Sequence, residues 1–118
     1  MTNIELQALR RLFMLKVVEA AQYIGGPVPP EQWHRWEQGQ DQIPDNVINK
    51  MLQLKKERHE NVALIIDNIN NRVGANTIKY FIDYQDFQKV NPTQDVIHWR
   101  LNQSIATELY FRGLEELS

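Results

Sequence analysis

Hydrophobic spacing divides the first half of the chain into four helical segments. Thr2 followed by Glu5 has the spacing of a capping box, and behind it Leu6, Leu9, Leu12 and Phe13 share one helical face with Arg10 and Arg11 beside it. This predicts a first helix over 3–14. A second, shorter helix is predicted over 17–24, with Ala20, Ala21 and Ile24 inward and Gly25-Gly26-Pro27 ending it. Proline is tolerated in a first helical turn, so Val28-Pro29-Pro30 opens a third helix, 30–38, closed by Gly39. The fourth begins at Ile43-Pro44-Asp45 and carries Val47, Ile48, Met51, Leu52 and Leu54. Nothing in the charged run 55–60 breaks a helix, and the stripe resumes with Val62, Ile65, Ile66, Ile69 and Val73 as far as Gly74. The run is read as a solvated helix face rather than a second DNA patch.

After Gly74 the periodicity changes. Thr77 to Ile82 is β-branched and aromatic, with Ile78, Tyr80 and Ile82 alternating, which predicts a short strand. Asp83 to Val90 reads as one or two helical turns with Tyr84 and Phe87 inward, broken by Asn91-Pro92. A last helix over 94–117 carries Ile97, Leu101, Ile105 and Leu109 at four-residue steps, and its start, 95–99, fits equally a second strand. One strand cannot satisfy its own backbone groups. Its partner must come from elsewhere in the chain or from a second copy. With the stripe on the long helix, this points to a homodimer built by the C-terminal half through Ile78, Tyr80, Ile82, Ile97 and Leu101.

Composition narrows the function classes. The 118 residues include no cysteine, which removes disulfide scaffolds, Cys-ligated zinc and thiol catalysis. No apolar run reaches the length of about 20 residues that spans a bilayer, and Met1-Thr2-Asn3-Ile4-Glu5 has no signal-peptide character. The expectation is a cytoplasmic protein without a membrane partner. His34, His59 and His98 are far apart, Ser104 and Ser118 lie in no nucleophile elbow, and the five glycines form no phosphate loop. The expectation is therefore no enzyme, no catalytic residue, no metal and no cofactor. Net charge is −2, and residues 1–54 hold five bases against six acids, so polyanion binding must come from local placement.

The informative stretch is Leu15 to Pro44. Two short helices joined by a glycine turn have the helix-turn-helix arrangement, in which one helix fits the DNA major groove while its neighbour braces it. Residues 9–52 resemble the phage lambda repressor/Cro class in Leu9-Arg10-Arg11-Leu12, in Leu15, Glu19, Ala21 and Ile24-Gly25, and in Trp33, Arg35-Trp36-Glu37, Gly39 and Pro44. Over its whole length the chain is similar to YdiL-like small proteins and anti-CRISPR-associated (Aca) autorepressors. Met1-Thr2-Asn3, Glu5-Leu6-Gln7-Ala8, Trp99-Arg100-Leu101 and Gln103-Ser104 carry that likeness.

The resemblance implies a mainly α fold: a lambda repressor-like helix-turn-helix bundle over 1–56, then a small α+β dimerisation region over 57–118 of long helix, short strand, short helix and terminal helix. It implies a homodimeric, sequence-specific DNA-binding repressor acting on an inverted repeat in its own promoter. Lys16 and Val17 would then meet phosphate, and Pro30, Glu31, Gln32, His34 and Arg35 would face the groove. Glu37 would pair with Arg10 as scaffold. Members often have Ser or Thr before the second helix and Gln just after; Lys16 and Val17 replace them, and Gly26-Pro27 lengthens the turn.

Arg35 is the leading base reader, because a guanidinium grips both acceptors of a guanine edge. Glu31 fits equally a first-turn acid favoured by the helix dipole, and His34 an ordinary exposed position. Trp33 and Trp36, three apart, read as core. Pro29 and Pro30 remove N–H groups where phosphates dock, so Lys16, Gln38, Gln40 and Gln42 would supply positioning. Two rival readings use the same surface: a helix-turn-helix-fold interaction module that has lost DNA binding, and an RNA-binding regulator.

Overall fold

A computed structural model describes residues 1–71 and 76–118. The helices in chain order are α1 (Asn3–Leu12), α2 (Val17–Tyr23), α3 (Pro30–Glu37), α4 (Asp45–Asn70), α5 (Tyr84–Val90) and α6 (Val96–Phe111). Two short strands, β1 (Thr77–Ile78) and β2 (Glu116–Leu117), complete the described elements, so the fold is mainly α with a small sheet. The chain divides into two units, Met1–Lys55 and Lys56–Ser118, with α4 beginning in one and ending in the other.

The first unit starts with the predicted capping box: the Glu5 N–H donates to Thr2 Oγ1 at 3.1 Å and the Thr2 N–H to Glu5 Oε1 at 2.8 Å. Helix α1 stops two residues earlier than the periodicity suggests, because Met14 adopts a left-handed φ of 59° and the Leu15 N–H turns back to the Arg10 carbonyl. Ala20, Ala21 and Ile24 of the second segment are buried as predicted. Between α2 and α3 the chain needs glycine. A Cβ on Gly25 would stand 2.7 Å from the Ala21 carbonyl oxygen and 2.6 Å from Val28 Cγ2, while the Val28 N–H donates to that same oxygen. Gly26 follows with φ +134°.

Glu37 is the polar centre of this unit. Its carboxylate accepts from Arg10 Nε and Nη2 at 2.6 and 3.1 Å and from Trp33 Nε1 at 2.5 Å, and its backbone carbonyl accepts from Asn3 Nδ2 at 3.1 Å. Arg10 Nη1 also reaches the Leu15 carbonyl. One buried pair therefore ties α1, the α1–α2 turn and α3 together. Burial pushes the Glu37 carboxyl up, but hydrogen bonds from Arg10, Trp33 and Gln7 with the Arg10 charge outweigh it, and the group titrates below its ordinary value of 4.5. Trp33 and Trp36 are core, their rings meeting edge to face at 5.6 Å.

In the second unit, Val62, Ile105 and Leu109 form a buried cluster against Ile65, Ile66, Ile78 and Leu114. The segment 95–99 is helical: Asp95 caps α6 by accepting the His98 N–H. Trp99 Nε1 and Gln103 Nε2 both donate to the Phe81 carbonyl at 2.8 Å, and the Phe81 ring meets buried Phe87 edge to face. The charged run 55–60 is not solvated throughout. Arg58 is buried, donating to Ser104 Oγ at 2.7 Å and pairing with Glu108 at 2.9 Å, because helical spacing turns this one member of the run inward.

Several expectations for this half need correction. The strand is two residues long rather than six; beyond it the Tyr80 N–H still bonds to the Ser118 carbonyl, whereas Ile82 is exposed. Its partner is not a second copy but β2 of the same chain, paired in parallel with Thr77 opposite Glu116 and Ile78 opposite Leu117. The last helix ends at Phe111 rather than 117, since Gly113 takes φ +71° and redirects the chain toward β1. Strand pairing therefore no longer requires a dimer. Ile97 and Leu101, expected at a dimer contact, are buried by their own chain, and Ile78 is packed on the local cluster. The stripe positions Val73 and Gly74 lie outside the described residues.

Breaking the buried pair tests its place in the fold. Arg10→Met leaves Glu37 charged and without its guanidinium, and denaturant unfolding should show a loss of about 3–5 kcal/mol, against less than about 0.5 kcal/mol for Arg11→Met at the neighbouring exposed position. Because the Glu37 pKa is lower folded than unfolded, its contribution is complete above the unfolded value and lost as pH falls through the folded one.

Candidate nucleic-acid interface

Helix α3 is short and sharply bounded. Pro29 at the N-cap and Pro30 in the first turn set its entry, and the Gln32 and Trp33 N–H groups both turn to the Pro29 carbonyl. Its inner side is Trp33, Trp36 and Glu37. The outer side carries Pro30, Glu31, His34 and Arg35, all exposed, with Gln32 half-buried at the margin. At the far end Gly39 takes φ +73°, and the Gln40 and Asp41 N–H groups both bond to the Arg35 carbonyl, at 2.9 and 3.4 Å. The loop thus folds back over the last helical turn.

That reversal brings the Asp41 carboxylate onto the outer side. Arg35 Nε donates to Asp41 Oδ2 at 2.7 Å and Arg35 Nη2 to Oδ1 at 3.2 Å, a two-point grip, while Gln32 Nε2 donates to Oδ2 at 3.0 Å. Arg35 remains about half exposed. Hydrogen bonds from Arg35 and then Gln32 hold the Asp41 carboxyl down at about 2, and the same contact raises the Arg35 pKa.

Of the sequence-predicted contact residues, Pro30, Glu31, Gln32, His34, Arg35, Gln38 and Gln40 therefore share the outer side of α3 and its C-terminal loop. Lys16 and Val17 stand at the start of α2, Lys16 exposed and Val17 half-buried. No side chain takes the place of the missing Ser or Thr cap there; Glu19 Oε1 accepts the Lys16 N–H at 2.9 Å, the other half of a capping box. Asp41 escaped the sequence reading. The signal was Gly39: a left-handed residue after a helix sends the next residues back along it, within reach of side chains one turn earlier.

The fold and this surface define a small, mainly helical protein that holds one short helix rigidly from behind and turns its polar side outward. More specifically, the chain belongs to the Aca2/YdiL-like family, which it matches over residues 1–118. It is 41% identical to the uncharacterised protein YdiL of Escherichia coli K12 and 38% identical to the Aca2 repressor of Pectobacterium phage ZF40. Each alignment spans 117 residues and 99% of both chains. Among the described residues, no helix is long and apolar enough to cross a membrane.

The Asp41 contact has a titration signature. Followed by carboxyl carbon NMR, Asp41 should titrate at about 2, and Arg35→Ala should return its midpoint toward 3.8. The sign follows from a depressed folded value: the contact is complete above the unfolded pKa and lost only as pH falls through about 2.

Proposed function

We propose that the chain is a sequence-specific DNA-binding transcriptional repressor without catalytic activity or cofactor, acting as a homodimer on an inverted-repeat operator, its own promoter included. Helices α2 and α3 form the helix-turn-helix, and α3 enters the major groove. The observation that carries this reading is the outer side of α3. A helix braced by a buried ion pair carries Arg35, Gln32 and His34 on its solvent side, donors of the kind that read base edges. A regulatory role is further supported by kinship with a protein named as a repressor.

Charge sets the manner of binding. Arg10 is engaged with Glu37 and Arg35 with Asp41, while Glu31 lies exposed beside the readers. Few phosphates are then neutralised per subunit, and the salt slope, about 0.9 per neutralised phosphate, is shallow. Affinity must lean on two half-sites held together. Exposed Ile82, Tyr110 and Phe111 in the second unit offer apolar surface for a second copy. The same acidic residues favour the alternative of a protein-interaction module, and the two readings part on sequence preference.

In a gel-shift titration with the upstream DNA of its own gene, the chain should bind saturably and lose about 5-fold or more in affinity with Arg35→Ala, as expected for one bidentate base contact. Equal binding to any duplex, or none at low salt, favours the interaction module, and preference for the RNA of that region favours the RNA regulator. Sedimentation at micromolar concentration should give a dimer that Phe111→Asp converts to monomer; a wild-type monomer removes the two-half-site scheme.

A further inference from the structure

We infer that Asp41 is a positioning residue that sets which base Arg35 reads, an inference that rests on the DNA-binding reading above. A guanidinium has five N–H donors in one plane. Asp41 occupies Nε–H and one Nη2–H, the two on a single side of the fork. The remaining edge, one Nη1–H beside the second Nη2–H, is the pair whose spacing matches O6 and N7 of guanine. Held side-on, Arg35 therefore presents a fixed, guanine-sized edge, with its charge partly offset by Asp41.

Three features make Asp41 more than an incidental surface ion pair, which by itself contributes little. The grip is bidentate, the geometry in which such pairs hold direction. The carboxylate is anchored from its own backbone, because the Asp41 and Gln40 N–H groups return to the Arg35 carbonyl. Oδ2 also takes Gln32 Nε2, which fixes the neighbouring amide with its Oε1 as the remaining acceptor. The negative charge serves discrimination in a second way, since it offsets the attraction of Arg35 for backbone phosphate wherever no guanine is present to accept the free edge.

The test compares wild type, Asp41→Asn, Arg35→Ala and the double variant on a site selected from random duplexes and on copies with each base pair replaced in turn. Wild type should show a guanine in each half-site whose replacement weakens binding by about 5-fold or more. Asp41→Asn should shrink that ratio by about 3-fold or more while binding to unrelated duplex holds or rises, an outcome that simple loss of folding would not give. In the Arg35→Ala background the same change should leave the ratio where it was. If Asp41→Asn keeps the wild-type ratio, or if the two substitutions reduce it additively, Asp41 does not act through Arg35 and the inference falls while the repressor reading stands. If wild type treats all duplexes alike, the repressor reading falls and takes this inference with it.

Discussion

The arrangement of the first unit depends on one carboxylate. Glu37 sits at the C-terminal end of α3, neutralised by Arg10 of α1 and further hydrogen-bonded by Trp33 of α3 itself. An uncompensated charge at that depth is costly enough to exclude other packings, so the pair fixes where α3 lies as well as that it lies there. The two tryptophans supply apolar burial on the same side. Burial and the buried charge pair thus act on one surface of a two-turn helix and leave the other to solvent and to the Asp41 loop.

The outer side shows a different economy of charge. Its most basic residue is matched by an acid six positions later, and an exposed glutamate stands in the first turn. Such a surface attracts polyanions weakly at a distance and rewards only close, well-aligned contact. On the proposed reading, discrimination comes from donor geometry and strength comes from joining two copies. That division suits a regulator whose occupancy must respond to its own concentration, because coupling through dimerisation steepens the response.

How much of this was legible beforehand varied with the range of the forces involved. The capping box at Thr2 and Glu5, the glycine turn after α2, the inward Trp33 and Trp36 and the long run of α4 all depend on residues close in sequence, and each was readable from spacing. The Arg10–Glu37 pair lies 27 positions apart and was reached through family likeness rather than periodicity. Reading failed where distant segments meet. The alternation at Ile78, Tyr80 and Ile82 is a local pattern, but the strand length depends on how much of a partner edge is available, and β2 supplies only two residues. Four-residue steps extended the last helix in the same way, past a glycine whose left-handed backbone ends it. Asp41 was missed because a loop residue gains its meaning from the helix it folds onto.

The parallel pairing of Thr77–Ile78 with Glu116–Leu117 ties the middle of the chain to residues made some forty positions later. Every residue of the first unit has been made once Lys55 has been added, but the small sheet cannot close until Leu117 has been made as well. During synthesis the two units therefore mature in a fixed order. An abortive translation product that stops before residue 116 would carry a finished α3 surface on a chain whose second unit is still open.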